Sequence, residues 1–168
     1  AQSDFCIVNV FILPGSHLPS CGVVTCYRII SRKRQPVCFC IKLAALGFKV
    51  VTTYSPGNPK VIDWLKGMNN MGYGFKAYPC DVTDFDAAHE CVETVTKEVG
   101  PVDVLVNNAG ITRDMTFKKM TKGDWDAVMH TNLDSVFNMT KQVMEGMMER
   151  KWGRIINVSS VNGQKGAF

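Results

Sequence analysis

Residues 43–160 alternate between short apolar segments and longer amphipathic ones, and this alternation constrains the fold more than any other feature. The β-branched residues 48–53 and the continuous apolar residues 102–106 are typical of buried strands. Two further strands are predicted at residues 75–80 and 154–159. Because the connections are short and helical segments separate the strands, the pattern predicts an α/β fold with a Rossmann-like, doubly wound parallel sheet.

The helices between these strands are predicted from polar caps. Asn58 followed by Pro59 is typical of a helix start, and residues 60–71 form the expected helix. Thr83 and Thr121 each have an aspartate three residues later, which predicts capping boxes at the next two helix starts. The helix after Thr121 is expected to run to about Arg150.

Composition divides the chain into two parts. Residues 1–42 hold five Lys/Arg, one Asp and five of the seven cysteines, whereas residues 43–168 have balanced charge. Their cysteine spacing gives no zinc pattern, so no metal is expected. With 46% apolar and 20% charged residues, the chain fits the class of soluble globular proteins, and we expect a reducing cytoplasm.

Two segments argue against a membrane or a nucleic-acid partner. The apolar residues 5–13 are too short to span a bilayer and end at Pro14 and Gly15. The basic residues 32–34 are a short run without interleaved aromatic residues, which is more typical of a solvated loop than of a nucleic-acid patch. We therefore expect neither partner.

A polar turn follows the strand predicted at residues 102–106. Asn107, Asn108, Ala109 and Gly110 occupy the carboxyl end of that strand, where parallel sheets bind ligands. Small residues let the backbone approach a flat ring or a ribose closely. The alternative is a tight turn that needs Asn and Gly for its backbone conformation.

This four-residue string resembles the NNAG motif of the short-chain dehydrogenase/reductase family, and three more strings occur in that family's order. The resemblance implies that Cys80, Asp81 and Val82 contact the adenine of a dinucleotide. It also implies that Asn132 is the active-site Asn, which supports a proton-carrying water chain, and that Ser160 is the catalytic Ser.

Within the family, residues 43–168 are most similar to acetoacetyl-CoA reductases of polyhydroxyalkanoate synthesis. The most distinctive stretches are residues 107–114, 124–128 and 152–166. The resemblance implies an acyl-CoA substrate and a homotetrameric parent protein, with Asp114 contacting substrate and Phe168 beginning the acyl-CoA loop. The residues that would line the nicotinamide ribose are Asn108, Ala109, Gly110, Ile111 and Thr112.

Charge after the second predicted strand favours NADP(H) over NAD(H). An NAD site needs a carboxylate there for the ribose 2′-hydroxyl, and residues 52–55 contain none. Lys60 falls where the related reductases hold a basic residue for the 2′-phosphate. An ordinary solvated lysine is the alternative.

Two departures from the family pattern affect the expected activity. The family's YxxxK motif would begin about five residues beyond Phe168, so the chain holds only Ser160 and Asn132 of the catalytic set. The glycine-rich turn should occupy about residues 29–36, which contain no glycine, while residues 22–25 resemble the preceding strand set too early. We therefore treat residues 1–42 as an anomalous, poorly ordered segment, with a frameshift as the hypothesis, and residues 43–168 as a partial reductase domain.

Three functions remain open from the sequence. The parent protein is expected to reduce acetoacetyl-CoA to (R)-3-hydroxybutyryl-CoA with NADPH in polyhydroxybutyrate synthesis. A 3-oxoacyl-ACP reductase of fatty-acid synthesis has the same chemistry with a different carrier. A non-catalytic remnant is the third hypothesis, and the 168-residue chain itself is expected to be inactive.

Overall fold

The computed structural model describes the backbone of residues 9–13 and 35–160, and the side chains of residues 40–160. Five strands form one sheet in the order β3-β2-β1-β4-β5. The strands are β1 (Asn9–Leu13), β2 (Lys49–Tyr54), β3 (Lys76–Pro79), β4 (Val104–Asn107) and β5 (Arg154–Asn157). The helices are α1 (Gln35–Ala45), α2 (Lys60–Asn70), α3 (Phe85–Glu98), α4 (Lys122–Met129) and α5 (Ser135–Glu149). A 3₁₀ turn at Phe117–Lys119 precedes α4, and a π-helical turn at His130–Asp134 joins α4 to α5.

The predicted α/β class and the four predicted strands are confirmed. β2 pairs with β3 in parallel, and β4 pairs with β5 in parallel. β1 lies between the two pairs and is antiparallel to both, with Val10 opposite Thr52 on one side and Val106 on the other. Because β2 and β4 are each antiparallel to β1, they are parallel to each other.

The direction of β1 differs from the all-parallel sheet that the sequence predicts. The strand lies at residues 9–13, whereas residues 22–25 were expected to supply it, and those residues are outside the described part of the chain. The proposed division at residue 42 falls inside α1. That the anomalous segment of residues 1–42 is poorly ordered stays a prediction.

Both faces of the sheet bury apolar side chains, as a doubly wound sheet requires. On one face Val50 and Val106 pack with Cys40 and Leu43 of α1. On the other face Val51 and Leu105 pack against α3 and α5. The α3 and α5 side chains in this second cluster are Ala88, Cys91, Val92, Val95, Met139, Val143 and Met147.

The helix starts follow the predicted caps with one exception. Asn58 Oδ1 accepts from the Lys60 N–H at 3.1 Å, and Thr121 forms the predicted capping box with Asp124. At α3 the predicted cap is wrong, because Asp84 rather than Thr83 accepts from the Ala87 N–H. Thr83 instead donates its hydroxyl to Asp81, so its side chain is already used in the preceding turn.

Gly153 is needed where the chain turns from α5 into β5. A Cβ placed on Gly153 would lie 2.5 Å from Cγ and Sδ of Met147, whose side chain is buried in the core. We expect Gly153→Ala to lower the free energy of unfolding by about 1–3 kcal/mol, the usual cost of overpacking. The matched control is Gly67→Ala within α2, where nothing lies within 4 Å of the added Cβ. That control should raise stability by about 0.5–1 kcal/mol because alanine favours a helix interior. Urea denaturation measures both, and equal effects of the two substitutions would contradict this packing.

Candidate functional site

The carboxyl ends of β4 and β5 lie side by side. Asn107 pairs with Asn157 in the parallel register, and the Val158 N–H extends the ladder by donating to the Asn107 carbonyl at 2.9 Å. The turn at 107–110 and Ser160, three residues beyond β5, therefore leave the same edge of the sheet. This confirms the predicted edge. Because β2 and β3 run in the same direction as β4, the 80–82 segment leaves this edge too.

The Asn107 side chain hydrogen-bonds the end of β4 to α5 and β5 on the buried side of the turn. Its side chain is buried, with 4% exposure, and Nδ2 donates to Thr140 Oγ1 at 3.2 Å and to Asn157 Oδ1 at 2.9 Å. Among the described residues, Asn107 Oδ1 is buried without a hydrogen-bond donor. The side chain thus connects β4, α5 and β5, which fixes where the exposed part of the turn begins.

Asn132 holds the turn from above. Its Oδ1 accepts from the Ile111 N–H at 2.8 Å, and its Nδ2 donates to the Ile111 carbonyl at 3.0 Å. The Asn132 side chain is exposed, and its partner is the backbone of Ile111, four residues past Asn107. Asn132 therefore contacts the turn after β4, and its role as the active-site Asn stays a prediction.

The position of Asn132 depends on a local widening of the helix. Residues His130–Asp134 form a π-helical turn, and Ser135, the first residue after it, donates its hydroxyl to the Thr131 carbonyl at 2.6 Å. A π-helical turn is wider than an α-helical turn because its hydrogen bonds join residues i and i+5. Such turns are frequent at functional sites. Here the turn brings the Asn132 carboxamide against Ile111.

Residues 108–114 form the accessible part of the site. Asn108 and Ala109 are half-buried, and Ala109 packs against the core cluster of α3 and α5. The predicted cofactor-binding Gly110 and Thr112 are exposed, and Ile111 is half-buried. The predicted substrate-binding Asp114 and the candidate catalytic Ser160 are also exposed.

Arg113 connects this accessible segment to the start of α4. Its Nε lies 4.0 Å from Oδ1 of Asp124, the aspartate of the capping box. Hydrogen bonds from the Thr121 hydroxyl and backbone lower the pKa of Asp124 below its usual value. Asp124 therefore stays a carboxylate near neutral pH and keeps both its cap and its contact with Arg113.

The segment predicted to contact adenine follows β3. The Cys80 side chain is buried and its backbone N–H donates to the Tyr54 carbonyl at 2.9 Å, so only the backbone of Cys80 faces the edge. Asp81 is exposed, and its Oδ1 accepts from the Thr83 N–H at 3.0 Å. Val82 is buried, and its carbonyl accepts from Asn138 Nδ2 at 3.0 Å.

Two thiols lie beneath this segment. The Cys80 thiol donates to the Ala87 carbonyl at 3.8 Å, and its interaction with the Cys91 thiol together with burial raises the pKa of Cys80 far above its usual value. Cys80 therefore remains a neutral thiol. Both cysteines are free, and they pack in the same core cluster as Val82.

The end of β2 carries the features predicted to select the cofactor. Thr52 and Thr53 are buried and Tyr54 is half-buried. None of these three side chains carries a carboxylate. Lys60 is exposed at the start of α2, which follows β2 beyond the same edge. Phe168, predicted to begin the acyl-CoA loop, is outside the described residues.

Sequence reasoning missed the polar residues that support the site from inside. Asn138 and Thr140 lie on α5, and Asn157 lies in β5, where each contacts a turn at the sheet edge. Their one sequence signal is a polar residue within an otherwise apolar strand or helix face.

No group of three or more His, Cys, Asp or Glu side chains able to hold a metal occurs in the part of the chain that the structure describes. Nor is any described helix both long and apolar enough to cross a bilayer.

A family model described as short chain dehydrogenase matches residues 37–168. The chain belongs to this family. It is 54% identical over 129 residues to acetoacetyl-CoA reductase from Cupriavidus necator, a match that covers 77% of this chain and 52% of the relative. An acetoacetyl-CoA reductase from Allochromatium vinosum is 48% identical over 130 residues, covering 77% and 53%. A 3-oxoacyl-[acyl-carrier-protein] reductase from Vibrio cholerae is 41% identical over 126 residues, covering 74% and 49%.

Solved structures of the family have the same fold. An actinorhodin polyketide ketoreductase with NADPH superimposes with a TM-score of 0.69 at 35% identity, covering 74% of this chain and 48% of that one. A gluconate 5-dehydrogenase from Burkholderia cenocepacia in complex with NADP and tartrate gives 0.68 at 30% identity, covering 76% and 50%. The chain spans about half the length of the relatives and structures it matches.

We expect Asn132→Ala to loosen the 108–114 segment of this short-chain dehydrogenase chain. The substitution removes both hydrogen bonds to Ile111, and loss of such a pair should cost about 1–3 kcal/mol of unfolding free energy. The Ile111 amide should then exchange with solvent faster, as measured by NMR. The matched control is Asn70→Ala at the exposed end of α2, which should leave the Ile111 exchange rate unchanged. Equal exchange rates for Ile111 in both variants would rule out the Asn132 contact.

Proposed function

We propose that the parent protein is an NADPH-dependent oxidoreductase that reduces acetoacetyl-CoA to (R)-3-hydroxybutyryl-CoA in polyhydroxybutyrate synthesis. One observation carries the proposal: Asn132 holds the turn after β4 on the same sheet edge as Ser160. Several of the matched relatives are named acetoacetyl-CoA reductases, and the identity to the Cupriavidus necator enzyme is the strongest support for this substrate.

Residues on this edge fit a nicotinamide dinucleotide at two of its parts. The exposed backbone around Gly110 leaves room for a flat ring beside the turn, and Asp81 is exposed where adenine would lie. Lys60 and the absence of a carboxylate in residues 52–55 favour a 2′-phosphate, and both structural relatives hold NADP(H). When bound, NADPH supplies a hydride to a substrate carbonyl.

The chain's own residues would position the substrate carbonyl beside that ring. The Ser160 hydroxyl is proposed to hold the carbonyl oxygen by donating a hydrogen bond to it. Asn132 is proposed to fix the ring side of the site through Ile111, and Asp114 to contact the substrate. The residues at 107–112 thus orient both reactants, while Asn107 keeps the turn anchored to β5.

The pyrophosphate part of the cofactor fits the chain less well. The end of β1 at Leu13 lies opposite Lys49, the first residue of β2, so β1 ends at the edge away from Ser160. A glycine-rich turn between β1 and α1 needs β1 to end at the cofactor edge. No glycine occurs in residues 29–36, immediately before and at the start of α1. We therefore propose weak NADPH binding by the 168-residue chain.

A 3-oxoacyl-ACP reductase remains the alternative activity, since the Vibrio cholerae relative has that name at 41% identity. The two activities differ in the acyl carrier. The described residues on this edge are proposed to contact the ketone and the cofactor, so the carrier has to be distinguished by experiment. A non-catalytic remnant is the other alternative, supported by the misfit at the pyrophosphate end.

The proposed setting of the parent protein is a cytoplasmic homotetramer that acts on an acyl-CoA. Support for assembly comes from exposed apolar side chains on α5 and the π-helical turn before it, namely Leu133, Phe137, Met144 and Met148. The exposed Phe85 at the start of α3 stacks on Phe137 at 6.2 Å.

The activity proposal is tested by comparing the 168-residue chain with a repaired chimera. The chimera replaces residues 1–36 and extends the chain with the corresponding unmatched segments of the Cupriavidus necator relative. We expect the chimera to oxidise NADPH with acetoacetyl-CoA, and the 168-residue chain to be slower by at least about 10²-fold, the lower end of what general acid–base catalysis contributes. Absorbance at the NADPH band measures both.

Ser160→Ala in the chimera is the matched control for the site. It should lower kcat by about 10²–10³-fold, as loss of an oxyanion donor does. A chimera faster with acetoacetyl-ACP than with acetoacetyl-CoA would favour the alternative carrier. An unrepaired chain as active as the chimera would contradict the proposed loss of function.

A further inference from the structure

Two cysteines from separate elements meet in the core beneath the 80–82 segment. Cys80 directly follows β3, and Cys91 lies in the middle of α3. Both thiols are free and buried, with 2% and 6% exposure, and both belong to the core cluster that also contains Val82. Neither thiol takes part in the catalytic set proposed at Ser160 and Asn132.

The carbonyl group of Ala87 relates the positions of the two cysteines. Cys80 Sγ lies 3.8 Å from the carbonyl oxygen of Ala87. In an α-helix that same oxygen accepts from the N–H of the residue four positions later, which in α3 is Cys91. Helical side chains lean toward the start of their helix, so the Cys91 side chain extends back toward the turn of Ala87. The fold thus brings the two thiols together across the contact between β3 and α3.

The two thiols differ in their ionisation. The interaction with Cys91, together with burial, raises the pKa of Cys80, so this thiol keeps its proton. The same interaction lowers the pKa of Cys91, against the opposing effect of burial. Because the thiolate is the nucleophilic form of cysteine, Cys91 is the sulfur that reacts first with an oxidant. Cys80 is then the neighbouring thiol that completes the reaction.

We propose that Cys80 and Cys91 form a redox modification site, at which a peroxide converts the two thiols into a reversible disulfide. With hydrogen peroxide, the Cys91 sulfur attacks one oxygen, the O–O bond breaks, and a sulfenic acid forms while the Cys91 proton leaves in a water molecule. The Cys80 sulfur then attacks the Cys91 sulfur. An S–S bond replaces the S–O bond, and a second water leaves with the Cys80 proton. The thiols lose two electrons in total, and the peroxide is reduced to two water molecules.

The disulfide closes a short covalent loop around the turn at Asp81. The loop runs from the end of β3 to the middle of α3 and includes Asp84, the cap of α3. A crosslink between side chains that are already neighbours stabilises the fold by restricting the unfolded chain. We therefore expect oxidation to raise the midpoint of thermal unfolding by about 4–8 °C. The inference is independent of the proposed reductase activity.

Peptide mapping of the native 168-residue chain tests the proposal. Trypsin cleaves after Lys76 and Lys97 and releases residues 77–97, which contain Cys80 and Cys91 and no other cysteine. After treatment with hydrogen peroxide, this peptide should lose two hydrogen atoms in mass and take up no iodoacetamide. Reduction with dithiothreitol should restore two sites for the label.

Cys40 is the matched control within the same chain. It is buried like Cys80, and the described members of its core cluster include no second cysteine. Burial raises the pKa of Cys40 to about 12, so its thiol stays protonated. We expect Cys40 to keep a free thiol under the conditions that oxidise the 77–97 peptide.

Two variants separate the roles of the two sulfur atoms. Cys80→Ala leaves Cys91 without a second thiol, so peroxide should produce a sulfenic acid on Cys91 that dimedone labels. Cys91→Ala leaves the protonated Cys80 thiol, which dimedone should label at least about tenfold less. Thermal unfolding of both variants checks that each remains folded.

Several outcomes would overturn the proposal. A 77–97 peptide that keeps two free thiols after peroxide treatment would exclude the site. A disulfide that lowers the unfolding midpoint would show that the fold does not hold the thiols together. Equal dimedone labelling of the two variants would contradict the order of attack. If neither variant folds, the mass and iodoacetamide labelling of the 77–97 peptide from the unmodified chain decide alone.

Discussion

The five residues of β1 determine how the described sheet is assembled. β2–β3 and β4–β5 are two parallel pairs, and β1 is the strand that joins them through four paired positions on each side. Without it the backbone ladders would reduce to two ribbons, held by the core beneath α3 and α5. Two-stranded ribbons are marginal alone. The shared carboxyl edge, and with it the candidate site, depends on β1 keeping β2 and β4 in the same direction.

The same strand explains why only part of the candidate cofactor edge matches the expected pattern. The proposed adenine and nicotinamide parts come from turns after β3, β4 and β5, which all end at this edge. The pyrophosphate part depends on the turn after β1, and the end of β1 lies opposite Lys49 and away from that edge. One reversed strand therefore separates the turns anchored at Asn107 and Asn132 from the proposed pyrophosphate end, because β1 ends at the opposite edge of the sheet.

Local rules in the sequence predicted most of the scaffold. The apolar run before Asn107 and the capping box at Thr121 specify their own secondary structure, because the interactions involved span few residues. The cap of α3 was misassigned because Thr83 and Asp84 are adjacent polar residues and only the turn at Asp81 decides between them. Contacts such as Asn107 with Asn157 join residues 50 positions apart and have no local signal. The direction of β1 is likewise set by its neighbours, since a five-residue apolar segment can pair either way.

The orientation of β1 is the central claim, and cross-strand NMR contacts test it most directly. In an antiparallel pair, Cα atoms of opposite residues approach to about 4.5 Å at alternate positions, which brings their α-protons into close contact. We predict α-proton to α-proton contacts at alternate pairs in the register Val10–Thr52, Phe11–Val51 and Ile12–Val50, and likewise between β1 and β4. The contact pattern of a parallel strand at β1, or contacts that join β2 directly to β4, would contradict the account.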